Sequence, residues 1–185
     1  MTIRKIRVID DPVLRRKAKK VEKITPEIRE LIEDMIETMR AAPGVGLAAP
    51  QVGVSERVIV IEYADEPEDD DETNAPPPKK KLYAVVNPEI IWTSDEKVEG
   101  TEGCLSIPGW VGDVSRHEAI AVKGVNRSGQ KIKLNLEGWL ARIFQHEIDH
   151  LDGVLYTDRL VSPETLRRVT PGEEENSDLK AEAIG

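Results

Sequence analysis

Apolar positions recur along this chain with two periods, and the first clear one is helical. In residues 26–40, PEIRELIEDMIETMR, the side chains of Ile28, Leu31, Ile32, Met35, Ile36 and Met39 fall at the three- and four-residue spacing of one helix face. Thr25 precedes the run as a candidate N-cap, and Pro26 occupies the first helical position, where its missing N–H is no loss. The spacing predicts an amphipathic core helix that stops at Ala42-Pro43-Gly44. The small-residue stretch GVGLAAPQ, 44–51, is then expected to form a tight loop.

The next signals have the strand period. β-rich runs lie at Arg57–Ile61, Leu82–Val86, Ile90–Trp92, Ala119–Val125 and Lys131–Leu136, punctuated by Pro, Gly and Asn-Arg-Ser-Gly turn chemistry, with a turn expected at VVNP, 85–88. They predict mainly antiparallel strands. Residues 138–151, GWLARIFQHEIDHL, return to the helical period: Leu140, Ile143, Phe144, Ile148 and Leu151 lie opposite a polar flank of Arg142, Gln145 and Asp149. The order helix, strands, helix, with no βαβ repeat, predicts an α+β domain. Its mainly antiparallel sheets are expected to pack around the buried late helix that carries HEIDH.

Two segments stand apart. Residues 64–81, ADEPEDDDETNAPPPKKK, have no apolar periodicity and charge runs of both signs, so an exposed, mobile loop without a catalytic role is expected. From Pro163 to Gly185 the chain is polar and acidic apart from isolated Leu and Val, and this tail is expected to be disordered or weakly helical. A chain of 185 residues closes one core, which assigns a single catalytic domain to 1–162.

Composition narrows the function. No window approaches the roughly 20 apolar residues of a membrane span, and the first 20 residues lack the apolar core and cleavage site of a secretory signal, so the expected location is the cytoplasm. A net charge of −9 argues against broad or stable nucleic-acid binding. The basic run Arg15–Lys20 is short, has no interleaved aromatics and reads as a solvated face. The single cysteine, Cys104, excludes an intramolecular disulfide and leaves metal ligation, nucleophilic catalysis or plain burial.

The candidate chemistry sits on the late helix. Glu147 falls inside its apolar arc, where an ionised carboxylate is costly unless a cation or reacting group is near. His146 and His150, one turn apart, can direct two imidazoles at one divalent ion while Glu147 takes a proton from water, which is the physical content of H-E-x-x-H. Taken alone, five residues also match by accident, as a pair of histidines on a solvated face. Cys104, in EGCLSIPG at 102–109, is the best third ligand, although a lone cysteine is more often a small buried hydrophobe. His117, in SRHEAI, has no companion at metal spacing and reads as a surface or structural residue. The Gly-x-Gly of GVGLAAPQ is weak evidence for phosphate, whereas the Gln51 amide could donate to an oxyanion.

In this order, GVGLAAPQ, EGCLSIP and QHEIDHLDG resemble the three signature motifs of the peptide deformylase family, and IDDPVLRRKAKKV and VVNP look like it as well. The resemblance covers roughly residues 3 to 160. It implies hydrolysis of the formyl group from N-formylmethionyl nascent peptides, which leaves room for transient ribosome contact. It also implies Cys104, His146 and His150 as ligands of one divalent metal ion, Fe²⁺ by family preference, with Zn²⁺, Ni²⁺ or Co²⁺ able to occupy the same site. Glu147 would be the acid/base, and Gln51 with the Leu105 N–H the oxyanion donors. The methionine pocket would involve Val45, Gly46 and Gly103, with the helix near Trp139 and Ile143.

Two positions depart from the family's pattern. Arg142 replaces an apolar pocket residue of some members and is expected to snorkel outward with its stem along the pocket. Trp110 and Val111 stand where some members carry an arginine that contacts the peptide. A zinc endopeptidase would take its third ligand downstream, where no further His or Cys occurs, and a purely structural metal site would call for four protein ligands and no Glu147.

Overall fold

The structure is a computed structural model that describes residues 2–64 and 79–169; most of the mixed-charge segment and the tail beyond 169 lie outside the described residues. Helix α1 spans Pro26–Ala41, and strands β1 (Gly46–Ala48), β2 (Val58–Tyr63), β3 (Lys81–Thr93), β4 (Lys97–Gly103), β5 (Trp110–His117), β6 (Ala119–Asn126) and β7 (Lys131–Glu137) follow. Helix α2, Gly138–Leu151, and the short strand β8, Arg167–Arg168, complete the order. All strand pairings are antiparallel, in a five-stranded sheet ordered β1-β2-β3-β6-β7 and a three-stranded sheet ordered β4-β5-β8. Among the described residues no helix is long and apolar enough to cross a membrane.

The larger sheet is covered on both faces, which explains why β2 reads as a continuous apolar run. Val58 and Val60 pack with Leu31, Ile32, Met35 and Met39 of α1, whereas Ile59 and Ile61 pack with Ile143, Phe144, Ile148 and Leu151 of α2. Helix α1 begins where Thr25 caps it, its hydroxyl accepting from the Ile28 N–H at 3.4 Å. Burial of each large apolar side chain in these layers contributes about 1.5–3 kcal/mol.

The smaller sheet lies against the other side of α2, where it meets the expected polar flank. Arg142, Gln145 and Asp149 are buried with the rest of the helix, because they meet polar partners on β4, β5 and beyond. The helix is therefore enclosed between two sheets, with its apolar arc toward the large one and its hydrogen-bonding arc toward the small one.

Other expectations are corrected. The VVNP turn is a bulge: β3 runs continuously from Lys81 to Thr93, Asn87 adopts φ 52°, and the register against β6 shifts between Val86 and Glu89. GVGLAAPQ is an edge strand, β1, followed by a 3-10 turn at Ala49–Val52. The start of the polar tail is ordered, since Arg167 and Arg168 pair with Val111 and Trp110.

Candidate metal centre

Helix α2 presents His146 and His150 from successive turns, and the loop after β4 brings Cys104 against them. One ligand atom from each of the three lies within 4.8 Å of the others, and all three side chains are buried. Cys104 Sγ is 3.3 Å from His150 Nε2. His146 Nε2, His150 Nδ1 and both carboxylate oxygens of Glu147 are buried without a hydrogen-bond partner. Each such orphan costs about 1–3 kcal/mol, so four of them on three residues from consecutive turns of α2 point to something the polypeptide alone does not supply.

The ionisation states fit a cation. Burial raises the Cys104 thiol far above its usual range, with the Glu147 charge adding to the shift. Burial, aided by His146 and Arg116, holds His150 well below the ordinary histidine value. Burial and then the Glu102 charge push the Glu147 carboxyl well above its usual range. Burial on its own thus favours the thiol of Cys104, the neutral imidazole of His150 and the protonated carboxyl of Glu147. A divalent charge reverses the first and third of these and releases protons. One thiolate and two imidazoles suit Fe²⁺, Zn²⁺, Ni²⁺ or Co²⁺, and three protein ligands leave a position open.

Orientation comes from Glu102, which the sequence reading missed. Its carboxylate is fully buried and accepts from Arg116 through two bonds of 2.9 Å, from Arg142 at 2.8 Å and from His146 Nδ1 at 2.9 Å. Burial alone would raise its pKa; the hydrogen bonds and charges of Arg116 and His146 instead hold it far below the usual carboxylate range. With Nδ1 donating to Glu102, His146 keeps Nε2 as the lone-pair nitrogen that faces the cavity. Arg116 continues to Asp149 at 2.5 Å, and Asp149 accepts in turn from Arg159. The available signal was spacing: Glu102 is two residues before Cys104, and Arg142, His146 and Asp149 recur at helical intervals.

Arg142 does not snorkel outward. Its guanidinium turns inward to Glu102, to the Val114 carbonyl at 2.9 Å and to the Val98 carbonyl at 2.6 Å, where fixed acceptors outweigh hydration. Gly100 leaves it room, since a Cβ there would lie 2.9 Å from Arg142 Cζ. His117 has the structural role expected of it, with Nδ1 2.6 Å from the Ser94 carbonyl.

Gln51 reaches the triad through its side-chain amide, and Leu105 is next to it in sequence. Gln51 is fully buried; its Oε1 accepts from the Ala48 N–H at 2.8 Å, which aims Nε2 at Cys104 Sγ, 3.6 Å away, and at Ser106 Oγ, 3.2 Å away. Leu105 directly follows Cys104. Of the expected pocket residues, Val45 packs into the α2-side core, Gly103 ends β4 opposite Val111, and Ile143 is fully buried.

Gly46 has a more specific position. A Cβ built there would lie 2.4 Å from Glu147 Oε1, so the bare backbone of β1 is what lets the carboxylate occupy its place. Gly46→Ala should displace Glu147 and lower turnover about 10- to 100-fold, given that 1 Å of misplacement can cost about 10². Kinetics with metal content measured in parallel test this; full activity would show that Glu147 has freedom to move.

With this geometry in hand, comparison with known proteins is decisive. A model of the polypeptide deformylase family matches residues 3–166. The peptide deformylase of Symbiobacterium thermophilum is 52% identical over 182 residues, covering 97% of this chain and 76% of that protein. The enzyme of Thermus thermophilus is 52% identical over 160 residues, 85% of this chain and 82% of the relative. The crystal structure of peptide deformylase from Ehrlichia chaffeensis superposes with a TM-score of 0.78 at 38% identity, covering 89% of this chain and 91% of that one. The one from Thermotoga maritima gives 0.75 at 43% identity, covering 88% and 100%.

Proposed function

Since the chain belongs to the polypeptide deformylase family, we propose that it deformylates N-formylmethionyl peptides with one divalent ion held by Cys104, His146 and His150. The observation that carries this reading is the clustering of one ligand atom each from Cys104, His146 and His150 within 4.8 Å of one another, together with the unpaired buried His146 Nε2 and Glu147 oxygens. Fe²⁺ is the assigned ion, following the family's preference, and Zn²⁺, Ni²⁺ or Co²⁺ fit the same donors. When bound, it supplies Lewis-acid charge that makes water a nucleophile near neutral pH.

The residues around it perform the rest. Glu147 accepts the proton of the attacking water and returns it to the amine nitrogen as the C–N bond breaks, releasing formate and the free N-terminus. Charge that develops on the formyl oxygen is met by Gln51 Nε2 and the Leu105 N–H, donors fixed before the substrate arrives. β1 is an edge strand, so the first residues of the substrate can extend along Val45 and Gly46 toward Gly103, with the formyl carbon delivered to the cavity. Nascent chains as substrate imply encounters close to the ribosome and a cytoplasmic setting.

A structural metal site would have no use for Glu147. The deciding experiment is formate release from a formyl-Met peptide by protein purified anaerobically with Fe²⁺, beside a chelated sample. Formate from the loaded protein alone is the expected result; none at full metal occupancy would overturn the reading.

A further inference from the structure

Residues 2–9 form no regular element, yet they run across α1 and both loops of the active site. The Thr2 N–H donates to Asp34 at 2.7 Å and the Arg4 N–H to Thr38 Oγ1 at 2.9 Å, anchoring the segment on α1. The Arg7 N–H then donates to the Gln51 carbonyl at 2.7 Å, and the Ile9 N–H to the Ser106 carbonyl at 3.0 Å. Gln51 Nε2 closes the frame by reaching Ser106 Oγ at 3.2 Å. Ile9 itself is 41% exposed and Val8 49%, so at these positions the segment contributes backbone donors more than packed side chains. That is why no apolar pattern in the sequence marks it.

We propose that this strap is a positioning device for the oxyanion donors. It rests on the reading of Gln51 and Leu105 as those donors. Two amides two residues apart on one segment, the second at the start of the Val8–Asp11 turn, hold the carbonyl of Gln51 and the carbonyl next to Leu105 at a fixed separation, which keeps Gln51 Nε2 and the Leu105 N–H aimed at one point. His146 and His150 do not hang on it, being set by α2 and Glu102, and the Cys104 carbonyl is held within its own loop by the Ile107 N–H at 2.9 Å. Loosening the strap therefore lowers kcat and leaves KM and metal content in place.

The test removes one donor from the metal-loaded, full-length enzyme. Ile9→Pro abolishes the N–H; Ile9→Ala keeps it. Ile9→Pro is expected to lose about 10- to 100-fold in kcat, with KM and metal content within about twofold of wild type, while Ile9→Ala restores the rate. Gln51→Ala should also cost less on the Ile9→Pro background than on wild type, because its donor is already misplaced. If the proline variant does not fold, an ester in place of the amide at residue 9, introduced as the α-hydroxy acid, removes the same N–H with the side chain retained. A folded variant lacking the donor but with wild-type kcat, or full additivity with Gln51→Ala, overturns the strap. Gln51→Ala at the wild-type rate would overturn the oxyanion reading itself, and the strap with it.

Discussion

Glu147→Gln is expected to fold, to bind its metal and to release formate about 10²–10⁴ times more slowly than wild type, the range that positioned general acid–base catalysis supplies. The amide is isosteric with the carboxyl, so the close fit against Gly46 is retained. Both oxygens of Glu147 are buried without protein partners, so no internal hydrogen bond is lost on substitution. Metal content should not change, since the donor set is completed by Cys104, His146 and His150. What would disappear is the group proposed to carry a proton from water to the leaving nitrogen. Stopped assays for formate, beside metal analysis and thermal melting of the same samples, separate these effects. A rate within tenfold of wild type would mean that another base serves the reaction; a variant without metal would mean that Glu147 belongs among the ligands.

The chemistry of this site was more legible in the sequence than the architecture that aims it. HEIDH announces itself because three polar groups occupy helix positions where burial is costly, and Cys104 stands out as the only cysteine. α1 and α2 were readable because each buries a long apolar stripe at helical spacing. β4, KVEGTEG, and β5, WVGDVSRH, were not, because one face of this small sheet packs charged groups instead of aliphatic ones. Glu102 and Arg116 look like surface residues in a strand until α2 is laid across them. The same blindness hid the inward turn of Arg142: its acceptors, the carbonyls of Val98 and Val114, are backbone atoms that no side-chain pattern reports. β3 was split in two because Asn-Pro is a turn signal, and only cross-strand pairing shows that the chain absorbs it as a bulge.

Charge was misleading in a related way. Residues 65–78 and 170–185 hold twelve acidic groups and one lysine, which exceeds the whole net charge of −9. The excess belongs to segments outside the described residues, so a chain-wide total says little about the charge of the described part.

Glu102 should be the position where fold and chemistry fail together. Its carboxylate is surrounded by two buried arginines and His146, and removing one member of such a cluster leaves like charges buried side by side. Breaking a buried pair from one side costs about 3–5 kcal/mol, a large share of the roughly 5–15 kcal/mol that holds a domain together. Glu102→Ala is thus expected to melt about 6–20 °C lower, at about 2–4 °C per kcal/mol for a chain of this size. Glu102→Gln retains the shape and one acceptor, and should fold. It loses the charge that holds His146 Nδ1–H, so the ring is no longer fixed with Nε2 toward the cavity, and metal affinity should fall about 10- to 100-fold. Competition against a chelator, with formate release measured at saturating metal, distinguishes the two consequences: activity should recover substantially once the ion is forced in. Replacing such a cluster with apolar side chains is often neutral for stability; no apolar residue, however, can tell a histidine which nitrogen to offer. If Glu102→Gln binds metal as tightly as wild type, the orientation of His146 must come from the packing of α2 alone.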